Sequence, residues 1–336
     1  MINAALNAYG LHPDLVVVER ELPRNWHGDL HYKLRAEGAA YYLRFLASER
    51  YQHEAFRELT DERLSAQMAY CDYMTAHELP FMKRIPPRNG EAFVVVEDAA
   101  GKPYRCVLFT WIEGVHLKNV TPEMAGRLGA LARRFHDESV GYETNALPFS
   151  DHTEGQHTYL KMMRERMTNG TANLLPEEVF ALEAYLALAE SYVKQGARAG
   201  EVMTGSRVMQ TDLNHLNVLW DKAGTAIQGV IDFEHLFYSE RVQELPWLLK
   251  WYGHSPTHAQ ALLEAYGARE VLTDEEWRRL PALLWLSGCL NWNFTAKTLA
   301  LLETDVADRA ERLQAHLDAY RERGQTLLQM LIASIS

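Results

Sequence analysis

Three cysteines in 336 residues are few, and Cys71, Cys106 and Cys289 stand far apart with no CxxC or zinc-ligand spacing. That argues against a disulfide framework and fits a reducing cytoplasm. Long apolar runs are also missing: nothing approaches the roughly 18 apolar residues that span a bilayer. The opening stretch MINAALNAYGLHPD lacks the basic start and continuous apolar segment of a signal peptide. A cytoplasmic protein without a membrane partner is expected. Basic charge is in short supply, with 34 Lys and Arg against 45 Asp and Glu, a formal net charge of −11. A general nucleic-acid binder usually shows a basic patch, so nucleic acid is not an expected partner. Repeats and low-complexity segments are absent as well, which removes solenoids and arrays.

What is present is a globular composition, 47% hydrophobic and 24% charged, too apolar for a disordered chain. The length exceeds one ordinary core and suggests two lobes. Residues 1–110 hold 13 basic and 15 acidic side chains, net −2, so the remainder carries 21 and 30, net −9. That excess is compatible with a cationic small-molecule partner, though net charge mainly reports on solubility.

The pattern divides at the same place. After a short amphipathic helix within residues 1–20, LVVVER and the alternating HYKLRAEGAAYYLRFL read as strands, with Glu37-Gly38 as a hairpin turn. Leu64, Met68, Cys71 and Met74 recur at helical steps within 59–78. AFVVVED and YRCVLFTWI are two more strands around AAGK. Beyond Glu113-Gly114 helices dominate. One opens at Thr121-Pro122 with Met124, Leu128, Leu131 and Phe135 on one face, and others are expected over 176–195, 256–267, 274–302 and 306–334. A single hairpin interrupts them at 217–233, with NVLW and GVIDF around KAGT. Strands followed by helices indicate an α+β architecture, with 1–110 as the strand-rich lobe and 111–336 as the helical one.

The embedded hairpin carries the chemistry. In QTDLNHLNVLWDKAGTAIQGVIDFE, Asp212 precedes Asn217 by five residues, and Asp232 closes an apolar strand fifteen further on. Phosphoryl transfer needs one carboxylate to accept or orient the attacking hydroxyl's proton. It also needs a second carboxylate and a neutral oxygen to hold Mg²⁺ on the nucleotide phosphates. Asp-x4-Asn by itself is most often a solvated turn. The setting between helix and hairpin, with an Asp ending an apolar run, favours the chemical reading.

These segments resemble the aminoglycoside phosphotransferase and choline-kinase-like branch of the protein-kinase-like fold, whose catalytic string is H-G-D-L-H-x-x-N-V with a hairpin ending I-D-[FW]-[EG]. QTDLNHLNVL and VIDFE match in spacing and mostly in residue. LFTWIEG resembles the family's interlobe connection, ALARRFHD the helix after it, and YYLRFLASERY its nucleotide-binding strand. The resemblance implies a bilobal kinase-like fold, with a small antiparallel-sheet N-lobe, a hinge near Phe109–Gly114 and a larger helical C-lobe. It implies an ATP- or GTP- and Mg²⁺-dependent phosphotransferase acting on a hydroxyl of a small molecule, such as an aminoglycoside-like antibiotic or amino alcohol. Asp212 would be the catalytic base and Asn217 and Asp232 the metal ligands. The backbone of Phe109, Thr110, Trp111 and Ile112 would face the adenine.

Three positions depart from the family pattern. Gln210 replaces a histidine that props up the catalytic loop. Arg44 replaces the phosphate-binding lysine, keeping the charge but not the point-like ammonium. Gln67 replaces the helix glutamate that would pair with that lysine, so that at most a hydrogen bond remains. Either the clamp is rearranged and works, or nucleotide handling is altered. The second case leaves open a non-catalytic kinase-like binding protein or a nucleotidyl transferase.

HGDL also occurs literally at His27–Leu30, but Leu34 holds the place of the metal-binding Asn. RNWHGDL therefore reads as a phosphate-covering loop through Gly28 or as an ordinary β-turn. Glu234 is a metal or substrate contact, or an exposed turn residue. Asn214 and His215, between base and metal ligand, are candidates for substrate contact. Trp247, Trp251, Tyr252, Trp285, Trp292 and Phe294 read mainly as core, alternatively as a pocket for a cationic amine or flat ring. Asn291 and Asn293, inside an apolar helix, would hydrogen-bond a substrate or a neighbouring helix. Nothing in the sequence fixes an oligomeric state.

Overall fold

A computed structural model describes residues 1–25, 27–47, 58–169, 174–200 and 207–335. Residues 48–51 of YYLRFLASERY and Trp26 of RNWHGDL lie outside the described residues. The chain begins with α1 (Ile2–Ala8), β1 (Val16–Leu22), β2 (Leu30–Ala36), β3 (Ala39–Ala47), α2 (Asp61–Ala76), β4 (Arg84–Ile85), β5 (Val94–Glu97) and β6 (Pro103–Thr110). Its strands form one antiparallel sheet in the order β1-β2-β3-β6-β4, with β5 also paired to β6.

Glu37 and Gly38 form the β2–β3 turn, both at positive φ (51° and 82°), which matches the twist of the flanking strands. That turn sets the register placing Arg44 opposite His31 on β2, and β6 places Val107 on its other side. Leu30, Leu34, Leu43, Phe45 and Leu108 share a core with Ala5 and Leu6 of α1. Thr60 caps α2 by accepting from the Arg63 N–H, and Leu64, Met68, Cys71 and Met74 are buried, as their period predicts.

Next come α3 (Pro122–Ser139), α4 (His152–Asn169), α5 (Pro176–Gly196), β7 (Arg207–Gln210) and the hairpin β8 (Val218–Trp220) and β9 (Ile227–Val230). The rest is β10 (Phe237–Glu240), α6 (Arg241–Tyr252), α7 (Pro256–Tyr266), α8 (Ala268–Val271), α9 (Asp274–Cys289), α10 (Trp292–Glu303) and α11 (Arg309–Ile335). Tyr185, Trp285, Phe294 and Leu313 lie in the helical core. Helices α3 and α7 touch through Gly129, where a Cβ would lie 2.2 Å from the Leu262 carbonyl oxygen. β7 pairs with β10, a ribbon joining two four-residue runs too short to show in the sequence pattern.

Two expectations change. The helix expected over 274–302 is two helices, because Asn291 ends one and starts the next. Its Oδ1 accepts from the Phe294 N–H at 3.1 Å as an N-cap, while its Nδ2 donates to the Ser287 and Gly288 carbonyls at 2.9 and 3.3 Å. The division at residue 110 also shifts. The chain forms one compact unit from Met1–Leu117, Tyr142–Leu147 and Leu216–Leu236, and a second from Lys118–Gly141, Pro148–His215 and Phe237–Ser336. The β8–β9 hairpin joins the first unit because Trp220 and Val115 exchange backbone hydrogen bonds at 2.8 and 2.9 Å and the Val230 N–H donates to the Pro80 carbonyl at 2.7 Å.

Candidate active site

In the first unit the polar groups converge on Arg44, which β3 places in a nearly closed environment with 4% of its surface exposed. Asp29, fully buried, accepts from Arg44 Nε at 3.2 Å and Nη2 at 2.7 Å through one oxygen. Its other oxygen accepts from the Ala47 N–H at 2.9 Å. Arg44 Nη2 also bonds the Glu234 carboxylate, and Nη1 stands 4.0 Å from Asp232 Oδ1. A planar guanidinium can meet several carboxylates at once, which an ammonium does less well. Burial alone would lower the Arg44 pKa; the carboxylates of Glu234, Asp29 and Asp232 outweigh it and hold the pKa well above the ordinary value.

These contacts revise the sequence reading. Arg44 and Gln67 do not bond to each other: Gln67 Nε2 donates to the Glu234 backbone oxygen at 3.1 Å, and its Oε1 is buried without a partner among the described residues. Glu234 is not an exposed turn residue, since its carboxylate is the second anion on Arg44. Gly28 lies in a turn, with φ +82° and its N–H donating to the Asn25 carbonyl at 3.0 Å. Asn25 Oδ1 braces that turn by accepting from the His27 and Asp29 N–H groups. Sequence reasoning passed over Asp29 as part of a false copy of the catalytic string. The available signal was Arg44 itself, because a buried arginine in a strand requires counter-charge.

Asp232 follows β9 at φ +77°, a conformation a residue with a Cβ rarely adopts. Its Oδ1 accepts from the Glu234 N–H at 3.0 Å, and its own N–H points at Met82 Sδ at 3.2 Å. The Ile231 N–H donates to the Asn217 carbonyl at 2.8 Å, which ties the two candidate ligands together through the backbone. A carboxylate and an amide oxygen are hard donors of the kind Mg²⁺ takes, with phosphates and water completing its shell. Among the described residues no three His, Cys, Asp or Glu side chains are grouped to hold a metal. The hard oxygen donors of Asn217 and Asp232 fit a divalent ion whose remaining ligands are phosphate and water.

Phe109 is fully buried and stacks on Tyr42 and Phe233. The Thr110 N–H donates to the Lys83 carbonyl and the Trp111 N–H to the Ala40 carbonyl, both at 2.9 Å. Ile112 packs under Gly229, where a Cβ would lie 2.6 Å from Ile112 Cδ1.

Asp212 belongs to the second unit, just after β7, at φ +47°. Its backbone oxygen accepts from the Asn214 N–H at 2.8 Å, and its Oδ2 from Asn214 Nδ2 at 3.0 Å. Gln210 is buried at the end of β7 and donates to the Glu240 carbonyl at 3.3 Å. The His215 ring packs 4.7 Å from that of Trp251. Tyr252, Trp285 and Phe294 are core, whereas Trp247, Trp251 and Trp292 are half-buried. The cation on the α6 indoles is the protein's own: Lys250 Nζ lies 4.4 Å from the Trp247 ring centre and 5.2 Å from that of Trp251.

Comparison with known proteins follows the same lines. Residues 19–283 match the model of the phosphotransferase enzyme family. A homoserine kinase of Methylobacillus glycogenes is 24% identical over 252 residues, covering 72% of this chain and 71% of its own. A microcompartment-associated aminopropanol kinase superposes with a TM-score of 0.67 at 16% identity, over 100% of this chain and 98% of its own. Amicoumacin kinase with AMP-PNP and Ca²⁺ gives 0.64 at 16% identity, over 96% and 92%. Spectinomycin phosphotransferase with ADP and spectinomycin gives 0.60 at 13%, over 99% and 97%. The protein-kinase-like α+β fold is shared with all three. The chain belongs to the phosphotransferase enzyme family and is a small-molecule kinase with an alcohol group as acceptor.

Proposed function

We propose that the protein transfers the terminal phosphoryl group of ATP, with Mg²⁺, to a hydroxyl of a small molecule. The observation that carries this reading is backbone strain in the two family motifs. Four non-glycine residues among the described ones have positive φ. Glu37 is in a hairpin turn and Glu78 just beyond α2; the other two are Asp212 and Asp232. Strain of this kind persists where the surroundings enforce it, and it concentrates at functional sites.

In this reading Asp212 takes or orients the proton of the attacking hydroxyl, and Asn214 holds that carboxylate in place. Asn217 and Asp232 hold the metal, which when bound neutralises charge on the phosphates. Arg44 meets a phosphate after Glu234 yields its place, which makes the clamp a rearranged one. Gln210 supports the loop from below, as its bond to Glu240 suggests. Catalysis is then mainly positioning and charge stabilisation.

No helix among the described residues is long and apolar enough to cross a membrane, and a cytoplasmic site of action, where ATP is supplied, is part of the proposal. The acidity of the second half does not by itself select a cationic acceptor. Glu178 pairs with Arg309, Glu240 with Arg279, and Asp137 with Arg133 and Arg241.

ATP with Mg²⁺ should raise the melting temperature, and a panel of hydroxylated amines, acids, sugars and antibiotics should yield a product heavier by one phosphate. A product heavier by AMP would establish nucleotidyl transfer instead. Absence of any nucleotide- or metal-dependent stabilisation would overturn the ATP- and Mg²⁺-dependent reading.

A further inference from the structure

Trp247, Lys250 and Trp251 occupy one half-buried face of α6, while Leu245, Leu248, Leu249 and Tyr252 are buried. Both indole faces attract the Lys250 ammonium and offset part of its loss of water. Among the described residues no carboxylate or carbonyl hydrogen-bonds or ion-pairs with it, and the Asp212 carboxylate acts on it only through its field. The charged and titratable groups that reach it come from three other elements. Arg323 on α11 repels it, Asp212 after β7 favours its charged form, and the Cys289 thiol at the end of α9, kept neutral by burial, adds no charge. Burial, with Arg323 acting in the same direction, holds the Lys250 pKa down to about 8. It is therefore still charged at neutral pH and short of counter-charge. His215, on the Asp212 loop, packs on Trp251 and ties this face of α6 to the loop.

A desolvated ammonium without a partner costs stability unless a ligand supplies the anion. We propose that this face of α6 is the acceptor subsite and that Lys250 binds a carboxylate of the acceptor, which is then a hydroxy acid or hydroxy amino acid. The proposal rests on the phosphotransferase reading above and specifies its substrate class. The carboxylate pairs with Lys250, the indoles exclude water from that pair, and the hydroxyl is presented to Asp212. A polycationic acceptor would meet Lys250 and Arg323 as like charges.

The test compares homoserine and glycerate, each beside its carboxamide, with spectinomycin as a cationic arm, by initial rates at saturating ATP and Mg²⁺. The acids should exceed their amides by about tenfold or more in kcat/KM, mostly through KM, as loss of a charge-assisted contact implies. Lys250→Met should bring the acid-to-amide ratio near one, and Lys250→Arg should keep most of it. The wild-type ratio stands whatever the variants' folding, which ATP-dependent thermal shift checks. Amides or spectinomycin used as well as the acids would overturn the proposal. So would a preference for acids that survives Lys250→Met. Transfer only to neutral or cationic alcohols removes this inference and leaves the phosphotransferase reading standing; transfer to no acceptor removes both.

Discussion

Asp212 sits at φ +47°, where asparagine is tolerated far better than alanine. Asp212→Asn should therefore keep the loop and its nucleotide affinity while removing the base. We expect kcat to fall by about a thousandfold with the KM for ATP nearly unchanged, measured on a verified acceptor. A variant retaining most of the activity would end the assignment of the base. Arg44 gives a second residue-scale test. Arg44→Ala leaves the fully buried Asp29 without its cation, a loss of about 3–5 kcal/mol in chemical denaturation. Glu234→Gln, which weakens the competing anion, should lower the KM for ATP, and a raised KM would show Glu234 to be a direct contributor. The three motif residues were legible in the sequence because their spacing is local. The Asp29–Arg44–Glu234 cluster was not, since it joins residues 15 and 190 positions apart.

At the scale of elements the same division holds. The Glu37-Gly38 turn, the Thr121 start of α3 and the β8–β9 hairpin are written in neighbouring residues and were read before any coordinates, whereas the Thr60 cap of α2 was not. β4 and the β7–β10 ribbon are too short to show a period and exist through partners distant in sequence. The break between α9 and α10 is an intermediate case. Its apolar pattern continues through 283–302, so periodicity misses it, although the cap residue Asn291 was visible as an oddity. Asn291→Ala removes the cap and two bonds to the end of α9, at a cost of about 2 kcal/mol. Asn291→Asp keeps the acceptor and loses the two donors, so its urea midpoint should fall between alanine and wild type. Equal midpoints for all three would show that packing alone sets the break.

Over the whole chain the net charge of −11 conceals an ordered arrangement. Buried or half-buried carboxylates such as Glu178, Glu240 and Glu234 are each matched to an arginine. Lys250 is a cation left without such a match among the described residues, and that has a consequence for stability against pH. Its pKa is about 8 in the folded chain against an ordinary value of 10.5, so between those values the unfolded chain binds more protons. The destabilisation from Lys250 is thus complete below pH 8 and fades as the pH rises to 10.5. Lys250→Met should melt above wild type at pH 7, by the equivalent of about 1–3 kcal/mol, and the gap should narrow across that window. A lysine serving only to pack its stem against Trp247 and Trp251 would give the opposite result, a variant no more stable than wild type and a difference flat in pH. Stability surrendered at neutral pH to keep a charged amine on the indole face of α6 is what an anion-binding subsite requires.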